Sequence, residues 1–151
     1  IGWGKPVMVR PDKMRNPRWD HFVSVLAGPA MNFLQAVGYA FLLRLLATAG
    51  LFNGGNLAFL YLFLLLGVAI NVSLMLFNLI PIGPLDGHWL VGAFMPEPMQ
   101  LRWYQFNRGI GSIVFLLLVL IPRGSEFDIL GRYFGPFVMR VTAFFLGESM
   151  Q

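Results

Sequence analysis

The run from Leu57 to Ile80 constrains this chain more than any other part of it. It is almost unbroken apolar sequence, with Asn71 and Asn78 as its only strongly polar side chains. About twenty apolar residues in a helix match the roughly 30 Å hydrocarbon thickness of a bilayer. Such a run is either a membrane span or the centre of a large soluble core. Composition decides between them. The 151 residues are 57% hydrophobic and 12% charged, with a mean hydropathy of +0.67. Soluble domains carry roughly 45–50% apolar and about 25% charged residues. The excess is too large for the interior of one small domain and fits a lipid-facing exterior. The reading is an all-α integral membrane protein whose residues 1–151 form a single membrane domain.

Other segments supply about three to four membrane segments in total. Residues 22–49 are apolar with one charge, Arg44, near the far end, from where it can snorkel outward. Gly28-Pro29 interrupts this span, most simply as a kink that frees a carbonyl. Residues 57–80 are the second span. Residues 81–108 form a longer polar connection, and 104–121 are a third span with a polar entrance. Residues 133–147, carrying Pro136 and Arg140, are a fourth span or an interfacial helix. Residues 1–20 are broken by Pro6, Pro11 and Pro17 and form a basic surface segment. Its "KPVMVRP" stretch suits a short extended or β region at the membrane surface.

The net charge of +4 is unevenly spread. Lys5, Arg10, Lys13, Arg15 and Arg18 precede the first apolar run, opposed only by Asp12 and Asp20. A basic flank beside a span sets topology, so the amino end is expected in the cytoplasm. The rest of the chain is too apolar for a nucleic-acid partner; the bilayer is the partner it requires. There is no cysteine, which excludes disulfides, thiolate metal sites and cysteine nucleophiles. The sequence begins at Ile1 rather than Met, which is read as a processed or internal start.

The second span ends in "NLIPIGPLDGH", residues 78–88. A carboxylate beside a membrane span is costly unless something binds it. Asp86 is either a turn residue outside the bilayer, since Pro-Leu-Asp-Gly is good turn chemistry, or a metal ligand or proton carrier. Asn78 and Pro81 break the helix before it, and Pro84 and Gly87 fix the backbone around it. His88 and His21 are its only histidine partners in the sequence. Asp86 with His88 alone is too few for zinc, which takes three protein groups plus water in catalytic sites. A set of Asp86, His88 and His21 reaches that number. Asn32, Asn71 and Asn78 lie within apolar stretches and suit either helix–helix hydrogen bonds or contact with an extended peptide backbone.

Three stretches, "GWGKPVMVRPDKMRNPRWD", "LAGPAMNFL" and "NVSLMLFNLIPIGPLDG", resemble in order and spacing the site-2 protease family of zinc intramembrane metalloproteases. The resemblance covers residues 1–90 and is nearest the compact branch without a PDZ domain. It implies that Asp86 is the third zinc ligand. It further implies that Asn78, Pro81 and Gly87 help place substrate or ligand, and that Gly28, Pro29 and Asn32 form the Gly-Pro-x-x-Asn element. A bacterial-type plasma (inner) membrane location goes with it.

The departures matter equally. The family takes its other two zinc ligands and its general base from His-Glu-x-x-His, whose histidines share one helical face. Here the two histidines are followed by "FVSV" and "WLVG", and His88 replaces a second glycine after Leu-Asp-Gly. No catalytic residue is therefore assigned within the chain. One reading makes it part of a working protease whose missing helix, and hence zinc, comes from upstream sequence or a partner. The transmembrane segment of a substrate is then its target. The other makes it a non-catalytic homologue without zinc, packed against neighbouring subunits of a membrane complex. A transporter with Asp86 as proton relay has only the carboxylate in its favour.

Overall fold

The computed structural model describes residues 15–147, apart from Asn56 and Arg123. Helix α1 runs Pro17–Thr48 and begins five residues earlier than the hydropathy suggested. Pro17 suits the first helical position, where its missing N–H has no partner to lose. The helix continues through Pro29, which is buried, so Gly28-Pro29 does not end it. Gly50, with φ of 72°, takes the left-handed conformation that closes the helix end. Helix α2, Ala58–Asn78, returns antiparallel to α1. At 1.5 Å per residue it is about 31 Å long, one hydrocarbon thickness.

Small residues let the first two helices approach closely. Ala36 and Ala40 of α1 meet Val68 and Val72 of α2 in a fully buried seam. A methyl on Gly67 would press into the Tyr39 ring. Lipid tails are as apolar as leucine, so close packing rather than water exclusion holds such helices together. Asn71 does not bridge helices there: its amide nitrogen donates to the Gly67 carbonyl of its own helix at 2.8 Å.

The connection after α2 is more helical than its polar composition suggested. A short helix α3, Gly87–Gly92, is followed by α4, Glu97–Phe106, which Pro96 starts in an extended conformation. Through a π-helical turn, Asn107–Gly111, α4 leads directly into α5, Ser112–Leu120. The result is one continuous helix, Glu97–Leu120, rather than a span beginning near residue 104. A second π-helical turn, Leu130–Phe134, leads into α6, Gly135–Leu146. The inner face of α6, with Val138, Val141, Phe145 and Leu146, packs on the α1–α2 seam.

The molecule is an all-α integral membrane protein. Among the described residues three helices, Pro17–Thr48, Ala58–Asn78 and Glu97–Leu120, are long and apolar enough to cross a bilayer. There is no strand among the described residues. The expected extended region at 5–11 lies outside them, and residues 17–20 belong to α1. Arg44, exposed near the far end of α1, sets its guanidinium beside the end of α6, where a methyl on Gly147 would stand 2.9 Å from the guanidinium carbon.

Candidate functional site

The stretch after α2 is a compact knot built by its prolines and glycines. Pro81 lacks the N–H needed to continue a helix, and α2 stops at Asn78. The Ile82 N–H turns back to the Ile80 carbonyl at 2.8 Å, and the Leu85 N–H to that of Ile82 at 3.0 Å. Pro81 is exposed, Leu85 is buried, and the Gly83–Pro84 peptide is cis. Gly87 then folds onto the end of α2, where a side chain would overlap the backbone oxygens of Leu79 and Ile80. The glycine of Leu-Asp-Gly is thus required by close backbone approach, independent of any chemistry.

This knot carries Asp86 to α1. A methyl on Gly28 would stand 3.3 Å from Asp86 Oδ2. The Leu-Asp-Gly and Gly-Pro-x-x-Asn elements, 58 positions apart (86 − 28), therefore meet across the α1–α3 interface. The Asp86 side chain is half-buried, does not cap α3, and makes no hydrogen bond among the described residues. Burial pushes its carboxyl above the ordinary carboxylate range, and nearby His88 partly offsets this. An unbonded, partly desolvated carboxylate is an arrangement that a cation or a proton stabilises. Gly28 is exposed, so the carboxylate lies at an open face. A groove of about 550 Å³ between α2 and α6, lined by Ser73, Phe77 and Thr142, does not include it.

The histidines do not complete a metal site with it. The His88 ring is buried, with Nδ1 turned back onto the Leu85 carbonyl. The ring also packs against Trp89 and Tyr104. His21 sets its ring edge-on to Trp89 at 5.0 Å. Among the described residues no three His, Cys, Asp or Glu side chains are placed to hold a metal. The set of Asp86, His88 and His21 is therefore not formed, because aromatic packing and a backbone bond hold the rings instead. As donor chemistry, Asp86 fits one ligand of a shared zinc site and no more.

Of the remaining candidates, Pro29 is buried in α1, and Asn32 is half-buried one turn beyond Gly28. Asn78 is half-buried at the end of α2. Neither asparagine side chain has a hydrogen-bond partner among the described residues. Both amides are thus free to meet another chain, whereas Asn71 is spent on its own helix.

Sequence reasoning missed Arg18, Trp103 and Asn107. Arg18 had only the signature of a topology charge. Its Nε donates to the Ala93 carbonyl at 2.6 Å and its Nη2 to that of Met95, tying the start of α1 to the end of α3. Trp19, Phe22 and Phe94 stack edge-to-face beside it. The end of the bundle bearing Arg18 is therefore the end bearing Asp86. Trp103 and Asn107 had only the signature of a polar helix entrance.

Known proteins give an independent comparison. The family model described as Peptidase family M50 matches residues 6–121. The candidate zinc metalloprotease YwhC of Bacillus subtilis (strain 168) is 33% identical over 130 residues, covering 83% of this chain. The chain spans 57% of that relative's length. No solved structure matches it.

Proposed function

Since the chain belongs to peptidase family M50, the site-2 proteases, we propose that it supplies the Asp86 side of a zinc site for peptide-bond hydrolysis inside membrane segments. The observation that carries this reading is the Asp86 carboxylate, held beside Gly28 without a hydrogen-bond partner among the described residues. An unbonded, partly desolvated carboxylate suits a metal ligand, whereas a turn aspartate normally bonds its own backbone. The remaining ligands and the general base are the His-Glu-x-x-His group, contributed by upstream sequence or by a partner chain against the open face at Gly28.

Each residue then has a task. Asp86 holds the metal, and its charged form is favoured once the cation is present. Asn32 and Asn78 offer amides to the backbone of an unwound substrate segment, whose polar groups otherwise go unsatisfied in lipid. Gly28 and Gly87 keep the helix and the knot close enough for Asp86 to reach across, and Pro29 and Pro81 shape the backbone on either side. Zinc, when bound, supplies Lewis acidity and lowers the pKa of its water towards 7. The basic amino-terminal flank orients the site to the cytoplasmic side of a bacterial-type plasma membrane. The substrates are transmembrane segments with helix-breaking residues.

One observation favours a second reading. The sequence holds two histidines, neither in His-Glu-x-x-His, which fits a homologue that keeps the fold as an accessory subunit. Zinc content separates the two. Protein purified from its own membrane without chelators is expected to carry about one zinc per site, and Asp86→Ala to lose it while still folding cooperatively. No zinc in the unmodified protein, or full retention in Asp86→Ala, refutes the assignment of Asp86.

A further inference from the structure

The Asp86 knot is gripped from a helix that the reading above gives no task. Asn107 is only 1% exposed. Its Oδ1 accepts the Gly83 N–H at 2.7 Å, and its Nδ2 donates to the Trp103 carbonyl at 3.0 Å. The Ser112 hydroxyl donates to its backbone carbonyl at 3.0 Å. A donor on one side and an acceptor on the other fix which way the amide faces. One turn earlier on the same helix, the Trp103 indole N–H donates to the His88 carbonyl at 2.7 Å. Positions four apart lie on one helical face. Trp103 and Asn107 thus hold the knot at two points, three residues before Asp86 and two after it.

The fit around Asn107 leaves no slack. A methyl on Gly83 would stand 2.5 Å from the Asn107 carbonyl oxygen, and one on Gly111 would stand 2.8 Å from Asn107 Oδ1. Asn107 also opens the π-helical turn, a departure that re-aims side chains within a helix and recurs at functional sites. Two glycines and a wider turn converge on one buried amide. Only Pro84 and Leu85 separate Gly83 from Asp86, and Leu85 is buried. Where Gly83 is anchored therefore decides where the carboxylate stands against α1.

We propose that Asn107 and Trp103 form a two-point clamp and are positioning residues for the Asp86 carboxylate. The clamp couples the rotation and height of the third long helix to the zinc side of the site. Its functional meaning rests on the reading of Asp86 as a ligand, but its geometry is testable without metal.

The chain has no cysteine, so Gly28→Cys with Asp86→Cys gives a clean pair, and a Cβ at residue 28 stands 3.3 Å from Asp86 Oδ2. The rate of disulfide formation under a mild oxidant, in the full chain in its membrane, reads the position of residue 86. Asn107→Ala and Trp103→Phe are expected to slow it by about tenfold or more. Ser112→Ala leaves both grips intact and changes nothing. In the chain with Asp86 restored, Asn107→Ala weakens zinc affinity by about tenfold or more, because the segment that carries the carboxylate is no longer held.

Equal cross-linking in Asn107→Ala and parent overturns the clamp, as does Trp103→Phe cross-linking as fast as the parent. Failure of the parent pair to cross-link overturns the placement of Asp86 beside Gly28. If Asn107→Ala does not fold, Trp103→Phe decides the matter. Cross-linking as expected in a protein that holds no zinc sinks the proposed function and leaves the clamp standing.

Discussion

Gly87→Ala offers a sharp test of how the Leu-Asp-Gly knot is built. The added methyl would overlap the Leu79 and Ile80 carbonyl oxygens and stand 2.6 Å from the Ile80 carbonyl carbon. Ordinary contact begins at 3.4 Å, so something must move by about 0.8 Å even for the mildest of the three contacts. Both partners are backbone at the end of a membrane helix, so no side chain can rotate away. Overpacking of this kind costs about 1–3 kcal/mol, and rigid partners argue for the upper end. Because residue 87 follows Asp86 directly, the displacement passes to the carboxylate. A misplacement of about 1 Å can cost a hundredfold in activity.

The comparison is Gly38→Ala, on the exposed side of α1, where an added methyl meets nothing within 4 Å. Alanine in a helix interior is favoured over glycine by about 0.5–1 kcal/mol, so this variant should melt slightly higher. Thermal unfolding in detergent, with bound zinc measured on the same samples, reads both effects. Gly87→Ala should melt well below the parent and hold less zinc. If it matches the parent in both, the knot does not sit against α2 as described, and the account of Gly87 fails.

Two further outcomes follow from neighbouring residues. Arg18→Ala removes both guanidinium bonds to the Ala93 and Met95 carbonyls. Charged hydrogen bonds are worth about 1.5–3 kcal/mol each, and partial exposure brings the total to about 2 kcal/mol. Arg18→Lys should recover only part of it, because an ammonium lacks the planar fork; full recovery would mean the charge alone matters. For Asp86, the folded carboxyl titrates above its unfolded value, so the metal-free folded state binds the extra proton. Its contribution is then most favourable at low pH and is lost as pH rises through the raised value. Measured with chelator present, the parent should lose melting temperature relative to Asp86→Asn as pH rises. The opposite slope would show that Asp86 has a favourable partner in the folded chain.

The parts of this structure that were legible in the sequence are those where one residue type has one physical use. A long apolar run with two amides had to be a helix in lipid, and α2 ends at Asn78 where Pro81 forbids continuation. Pro29 was the opposite case. Inside a helix it removes one backbone bond, yet α1 runs on through it with Pro29 buried. The polar connection after Asp86 was misjudged because composition reports on contact with water, not on helicity. Glu97 and Pro98 suit the first turn of a helix in any setting, and α4 begins there, seven residues before the apolar run was expected to take over.

Asn107 shows where reading by residue type stops. From sequence it is one more amide at the polar mouth of a helix, indistinguishable from Asn71, which serves only its own helix. Its two side-chain bonds depend on a π-helical turn that no hydrophobic period announces, and on Gly83, 24 positions earlier. A glycine in a turn is ordinarily explained by its own torsion angles. Gly83 has no positive φ to explain; what it lacks is room, because another helix stands where its side chain would be. The same holds for Gly87 and Gly111. These glycines record close approaches between segments, so the pattern of Leu-Asp-Gly is a statement about packing before it is one about chemistry. That is why the motif can outlive catalysis in a homologue, and why the disposition of Asp86 towards a metal must be measured on the carboxylate itself.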